Sequence, residues 1–117
     1  MNSNYWNDYS FFIKRSEELT NHSPYYLIEI WENLVNQILN NEYTDCPQEL
    51  DNELNVREQI NKILTDTSLN NNLLLDPFKQ SLISADKKAK SSLEEKHKWA
   101  NKDLKNSFKE FVNRIIE

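Results

Sequence analysis

Near neutral pH, proton transfer and nucleophilic attack fall mostly to imidazoles and thiols, and this sequence holds two histidines, His22 and His97, and one cysteine, Cys46. Cys46 stands between Asp45 and Pro47, an acidic setting rather than the electropositive one that activates a thiol. Glu29 with Glu32, and Glu49 with Glu53, are one helical turn apart, as two carboxylates must be to share a proton or a divalent ion. A solvated helix face has the same spacing, and no Glu-x-x-His follows to complete a di-iron set. Two imidazoles and a lone thiol also leave a zinc site short of ligands. These residues point to a chain without catalytic residues, metal or cofactor, and so not to an enzyme.

Charge carries more information. From Ser16 to Val56 there are nine carboxylates (Glu17, Glu18, Glu29, Glu32, Glu42, Asp45, Glu49, Asp51 and Glu53) and no Lys or Arg. Such a run either repels itself into disorder or sits on a folded scaffold as a negative field that steers a cationic partner. The interleaved Trp31, Leu34 and Ile38 favour the scaffold. Residues 1–76 hold four basic and thirteen acidic side chains, a balance of −9, and residues 77–117 hold ten and six, a balance of +4. Lys87, Lys88, Lys90, Lys96, Lys98, Lys102, Lys105 and Lys109, with Trp99 among them, read as a nucleic-acid patch. Asp86, Glu94, Glu95 and Asp103 interrupt it, and a pI near 5.1 makes the chain repel phosphate at range. Direct nucleic-acid binding is therefore disfavoured. Either the basic helices lie beside the acidic ones and compensate them, or an acidic face stands apart.

The fold class follows from what is missing. A chain of 117 residues with no glycine lacks the residue that most readily supplies positive φ at hairpins, bulges and helix ends, so sheets are disfavoured. Gly-rich phosphate cradles are excluded with it. The expectation is an all-α protein, a single compact bundle of four to five helices forming one domain over residues 1–117. At 38% hydrophobic and 11% aromatic it should fold, despite a mean hydropathy of −0.83. The longest apolar runs fall well short of a membrane span, and Met-Asn-Ser-Asn-Tyr-Trp at the start has neither a basic nor an apolar targeting stretch. With one cysteine, a cytoplasmic setting is expected.

Three cap-plus-proline signals mark helix starts: Ser23-Pro24, Asp45-Cys46-Pro47-Gln48 with Gln48 as capping-box partner of Asp45, and Asp76-Pro77. Ahead of them, Tyr5, Tyr9, Phe12, Ser16 and Leu19 share one helical face, and Phe11 falls about opposite, free to anchor a partner. The second helix, Pro24 to about Asn40, turns Leu27, Ile30, Trp31, Leu34, Val35 and Ile38 inward and Glu29, Glu32, Asn33 and Asn36 outward. The third, about Pro47 to Leu64, buries Val56, Ile60, Ile63 and Leu64 and exposes Asp51, Asn55, Glu58 and Lys62. Thr65 to Leu75 reads as a loop with leucines tucked inward. The fourth helix, after Asp76, has a narrow stripe of Phe78, Leu82, Ala85, Ala89 and Leu93. Ser91-Ser92-Leu93-Glu94 matches a capping box that opens a fifth helix, unless one helix runs on to Ile116. The last seam is Leu93, Ala100, Leu104, Phe108, Phe111 and Ile115, and Trp6, Trp31 and Trp99 are expected in the core.

Arg15 and His22 enclose six residues, a spacing that resembles the Arg-x4–6-His motif of HEPN ribonucleases, which are all-helical and of similar size. That resemblance implies RNA cleavage by Arg15 and His22 with their counterparts across a dimer. In that family the pair usually opens a late helix, whereas here it straddles the end of the first. The residues themselves favour an acidic protein-binding inhibitor, with Glu29, Glu32, Asp51, Glu58, Glu42, Asp45 and Phe11 as partner-binding residues and a basic partner, a nuclease or nucleoprotein, whose nucleic-acid site they cover. Compact acidic inhibitors of this class occur in bacterial toxin immunity and phage counter-defence, and the Asn- and Lys-rich composition suits an AT-rich genome. A helical scaffold or oligomerising module is the alternative, and a HEPN-like ribonuclease the next.

Overall fold

Two helices of this chain open on a proline, and two are followed by an asparagine in the left-handed conformation. The computed structural model describes residues 3–99 and 101–116, and among these it is all-helical: α1 (Ser3–Thr20), α2 (Pro24–Leu39), α3 (Pro47–Leu64), a 3-10 turn at Thr67–Leu69, α4 (Leu75–Ser91) and α5 (Lys102–Ile115). Ser23 caps α2 as expected, its hydroxyl accepting from the Tyr25 N–H at 3.2 Å. The other two starts differ. The N-cap of α3 is Cys46, which makes no side-chain cap bond, so the Asp45–Gln48 box does not form. A proline at the first helical position requires an extended residue immediately before it, which puts the cap at Cys46 and leaves Asp45 outside. The fourth helix begins two residues ahead of Pro77, where the Leu74 N–H donates to Asn72 Oδ1 at 2.9 Å. Asp76 is thus not a cap but a first-turn carboxylate, suited to the positive end of the helix.

Without glycine, two asparagines take the left-handed region, Asn21 at φ 67° and Asn41 at φ 57°. Asn is the residue after Gly that visits it most readily. At the end of α2, Asn41 N–H donates to Ile38 O at 3.2 Å and Glu42 N–H to Gln37 O at 2.8 Å, the two bonds of a Schellman closure. Between α1 and α2, the buried Ser16 and Thr20 hydroxyls both donate to the His22 carbonyl, at 2.9 and 3.0 Å, fixing the turn.

The fourth and fifth helices are neither continuous nor divided at the Ser91 box. The α4 helix stops where the Ser91 and Ser92 hydroxyls donate back to Lys88 O at 2.8 Å and Ala89 O at 2.7 Å, side-chain bonds that compete with helix continuation. Trp99 Nε1 donates to Ser92 O at 2.8 Å, and α5 opens only after Asn101, whose Oδ1 accepts from Asp103 N–H and Leu104 N–H. Leu93 is half-buried in this connection, and Ala100 of the expected seam lies outside the described residues.

The bundle packs α2 against α3 and α4, α3 against α5, and α1 against α2 and α3. At its centre Trp31, fully buried, stacks on Phe108 with centroids 6.4 Å apart. Ile30, Val56 and Leu64, expected inside, are half-buried, while Leu50, Leu54 and Arg57 take the inner face of α3. The loop leucines divide, with Leu69, Leu74 and Leu75 buried and Leu73 exposed. On α1, Phe12 and Ser16 are buried, but Tyr5 and Tyr9 are exposed, and so is Trp6 at 54%. The turns ahead of Phe12 pack on Tyr25 and on the 72–73 turn rather than on the core: Tyr9 stacks on Tyr25 at 6.2 Å, and the Leu73 N–H donates to Asp8 Oδ2 at 2.8 Å.

Candidate functional site

Helices α2 and α3 hold most of the acidic run rigidly. Glu29 and Glu32 are exposed on α2, Glu42 and Asp45 on the connection to α3, and Glu49 and Asp51 on the first turns of α3. Of the nine carboxylates between Glu17 and Glu53, Glu18 alone closes an ion pair among the described residues, with Arg15 at 3.6 Å. Among the described residues the other eight close no ion pair. Lys96 pairs with its neighbour Glu94 rather than with a carboxylate of the run.

The expected partner-binding residues do not form one patch. Glu32 stands with Lys88 along the groove between α2 and α4. Asp51 and Glu58 line a different groove, between α3 and α5, together with Glu110 and Arg114. Glu58 is also not free, because Arg114 Nη1 donates to it at 3.1 Å. Glu42 accepts a long bond of 3.5 Å from Asn40 Nδ2. Phe11 is 43% exposed on α1 and lines none of these grooves.

At the α2–α3 corner Asp45, Glu49 and Glu53 come together. Burial pushes the Glu53 carboxyl up from the usual carboxylate range, the negative charges of Asp45 and Glu49 push the same way, and contact with the Tyr43 hydroxyl opposes them. The Tyr43 phenol is pushed up as well, first by burial and then by Glu53 and Asp45. Its hydroxyl is enclosed beside Glu53 without completing a hydrogen bond.

Arg15 and His22 have separate partners. The Arg15 fork donates to Asp66, Nε to Oδ2 at 3.1 Å and Nη2 to Oδ1 at 2.8 Å. Those bonds, with one from the Ser68 hydroxyl, hold the Asp66 carboxyl down at about 2. The His22 ring lies on Tyr26 with centroids 5.0 Å apart. His97 packs edge-on to Trp99 at 5.5 Å, and Cys46 is exposed. Among the described residues no group of three or more His, Cys, Asp or Glu is placed to hold a metal ion, and no helix is long and apolar enough to cross a membrane.

Two features escaped the sequence reading. Arg57, 4% exposed on α3, donates to Asp86 of α4 through Nε at 3.1 Å and Nη2 at 2.9 Å, and Trp31 Nε1 donates to the same carboxylate at 3.0 Å. Tyr43 and Trp99, far apart in the chain, line one crevice beside Asp45. An Arg within an apolar stripe was the available signal for the first; the second had none. No protein-family model, curated protein or solved structure matches the chain.

Proposed function

We propose that this chain is a non-catalytic binding protein of the immunity or counter-defence inhibitor class, which lays exposed carboxylates over the basic nucleic-acid site of a partner enzyme. The observation that carries the reading is that, among the described residues, eight of the nine carboxylates between Glu17 and Glu53 close no ion pair, although the chain has ten basic residues in its last third. Carboxylates held on helices meet Lys and Arg with little ordering cost, accelerate encounter and occupy the path of the phosphates. A cytoplasmic, bacterial or phage setting accords with the single cysteine and the Asn- and Lys-rich composition.

The test is affinity capture from the native host with two baits, the wild type and a Glu29→Lys, Glu32→Lys, Glu42→Lys variant. The expected result is a basic protein held by the wild type and lost by the variant, whose nucleic-acid binding or cleavage the wild type blocks in a purified assay. Recovery of the bait alone, or of a partner whose nucleic-acid handling is untouched, would contradict the reading.

A further inference from the structure

At the acidic corner the surface folds inward. Ile38 of α2, Tyr43 and Asp45 of the α2–α3 connection, Trp99 of the α4–α5 connection and Leu104 of α5 line a crevice of about 260 Å³. Its walls include two aromatic rings and two aliphatic side chains beside the polar Asn41, Thr44 and Asn101, and its carboxylate, Asp45, is exposed and makes no ion pair among the described residues. The indole N–H of Trp99 is already committed to Ser92 O, so what Trp99 offers the crevice is ring surface. Asp45 and Glu49 both lie close enough to Glu53 for their charges to act on its carboxyl, so Asp45 brings the edge of a negative cluster to the crevice.

An anion is excluded by those carboxylates, and a wholly apolar ligand would leave Asp45 facing it unpaired. A cation on an apolar stem suits every wall. Its methylenes lie on Ile38 and Leu104, and its charge meets the faces of Tyr43 and Trp99 and the carboxylate of Asp45. Guanidinium fits better than ammonium, because it is planar, weakly hydrated, stacks on rings and pairs with a carboxylate through a fork. We propose that this crevice is the anchor site for an arginine side chain of the cationic partner. The proposal rests on the reading of the chain as a binder of a basic protein, and it assigns the central contact of that interface to Tyr43, Asp45 and Trp99.

The test titrates the protein with the blocked peptide acetyl-Gly-Arg-Gly-amide and follows backbone and indole N–H resonances by NMR. Saturable shifts should centre on residues 38–45, the Trp99 indole and residues 101–104, and the norleucine peptide should give none. Asp45→Asn, an exposed change that leaves the fold intact by circular dichroism, should weaken binding about fivefold, and so should Trp99→Leu. Equal binding by the norleucine peptide, shifts centred elsewhere, or an unaffected Asp45→Asn would overturn the proposal. Tighter binding of free agmatine than of the peptide would overturn the assignment to a partner's side chain. Failure of the peptide while a captured basic protein still binds with strong salt dependence would remove the crevice and leave the acidic binder standing.

Discussion

Arg57 is the residue most at odds with its place in the sequence, a cation 4% exposed on the inner face of α3. It is tolerable there because Asp86 receives two of its N–H groups and Asn61 Oδ1 a third, while Trp31 donates to Asp86 from the opposite helix. Removing one member should therefore cost more than removing both charges. Asp86→Ala is expected to lower stability in urea by about 3–5 kcal/mol, because Arg57 is left buried and unpaired, and adding Arg57→Met should recover part of the loss. A loss under about 1 kcal/mol for Asp86→Ala would mean that water reaches the guanidinium. The Arg15–Asp66 pair makes a pH prediction of a different kind. A carboxyl held down at about 2 in the folded protein contributes stability that is complete above its unfolded value near 4 and disappears as pH falls from there toward 2. Asp66→Asn should thus lower Tm at neutral pH and make the remaining fall in Tm across that acid range shallower than in the wild type. Equal acid sensitivity in both proteins would assign the loss to other carboxylates.

Helix ends show what glycine's absence demands. Asn41, at φ 57°, closes α2 and aims the chain into the acidic corner. Asn41→Ala should cost up to about 1 kcal/mol, since both residues carry Cβ but Ala lacks the short polar side chain whose local hydrogen bonding eases that conformation, whereas Asn41→Gly, with no Cβ, should cost nothing or stabilise slightly. Thermal melts decide it, and an equal loss in both variants would tie the effect to the asparagine side chain rather than to the backbone. The elements that periodicity describes well were legible: α2 with Trp31, Leu34 and Ile38 inside and Glu29, Glu32 and Asn36 outside, and α5 with Leu104, Phe108 and Phe111 inside. What escaped were features set by distant residues. Helix register could not show that Tyr5, Trp6 and Tyr9 run past the core, because that depends on where Tyr25 and Leu73 meet α1. Nor could it show the break after Ser91, which depends on back-bonding by Ser91 and Ser92 and on the Trp99 clamp. The candidate site divides the same way. The unpaired carboxylates could be counted in the sequence, but the separation of Glu32 from Asp51 into two grooves, and the meeting of Tyr43 with Trp99, follow from how the helices pack.

The whole molecule is an elongated bundle, 49 × 24 × 22 Å, with a net charge of −5 and, among the described residues, a large share of the carboxylates on α2, α3 and the connection between them outside any ion pair. The field of these charges decays over a Debye length, about 8 Å at physiological salt, so on the proposed reading it acts on a partner over the last stretch of approach before contact forms. Contact between the two molecules then adds short-range terms, the crevice beside Asp45 among them, which act mainly on dissociation. The central claim is that the acidic surface steers a cationic partner. It is tested most directly by the association rate constant of the captured basic protein, measured by stopped flow across a series of ionic strengths, for the wild type and for the Glu29→Lys, Glu32→Lys, Glu42→Lys variant. All three positions are exposed, so each change should move stability by no more than about 0.5 kcal/mol. The wild-type rate should fall steeply with salt, and the variant should associate slowly, with a flat salt dependence and at least about tenfold weaker affinity, equivalent to 1.4 kcal/mol. Equal rates for the two proteins at every ionic strength would contradict the account and leave the carboxylates as solvation alone.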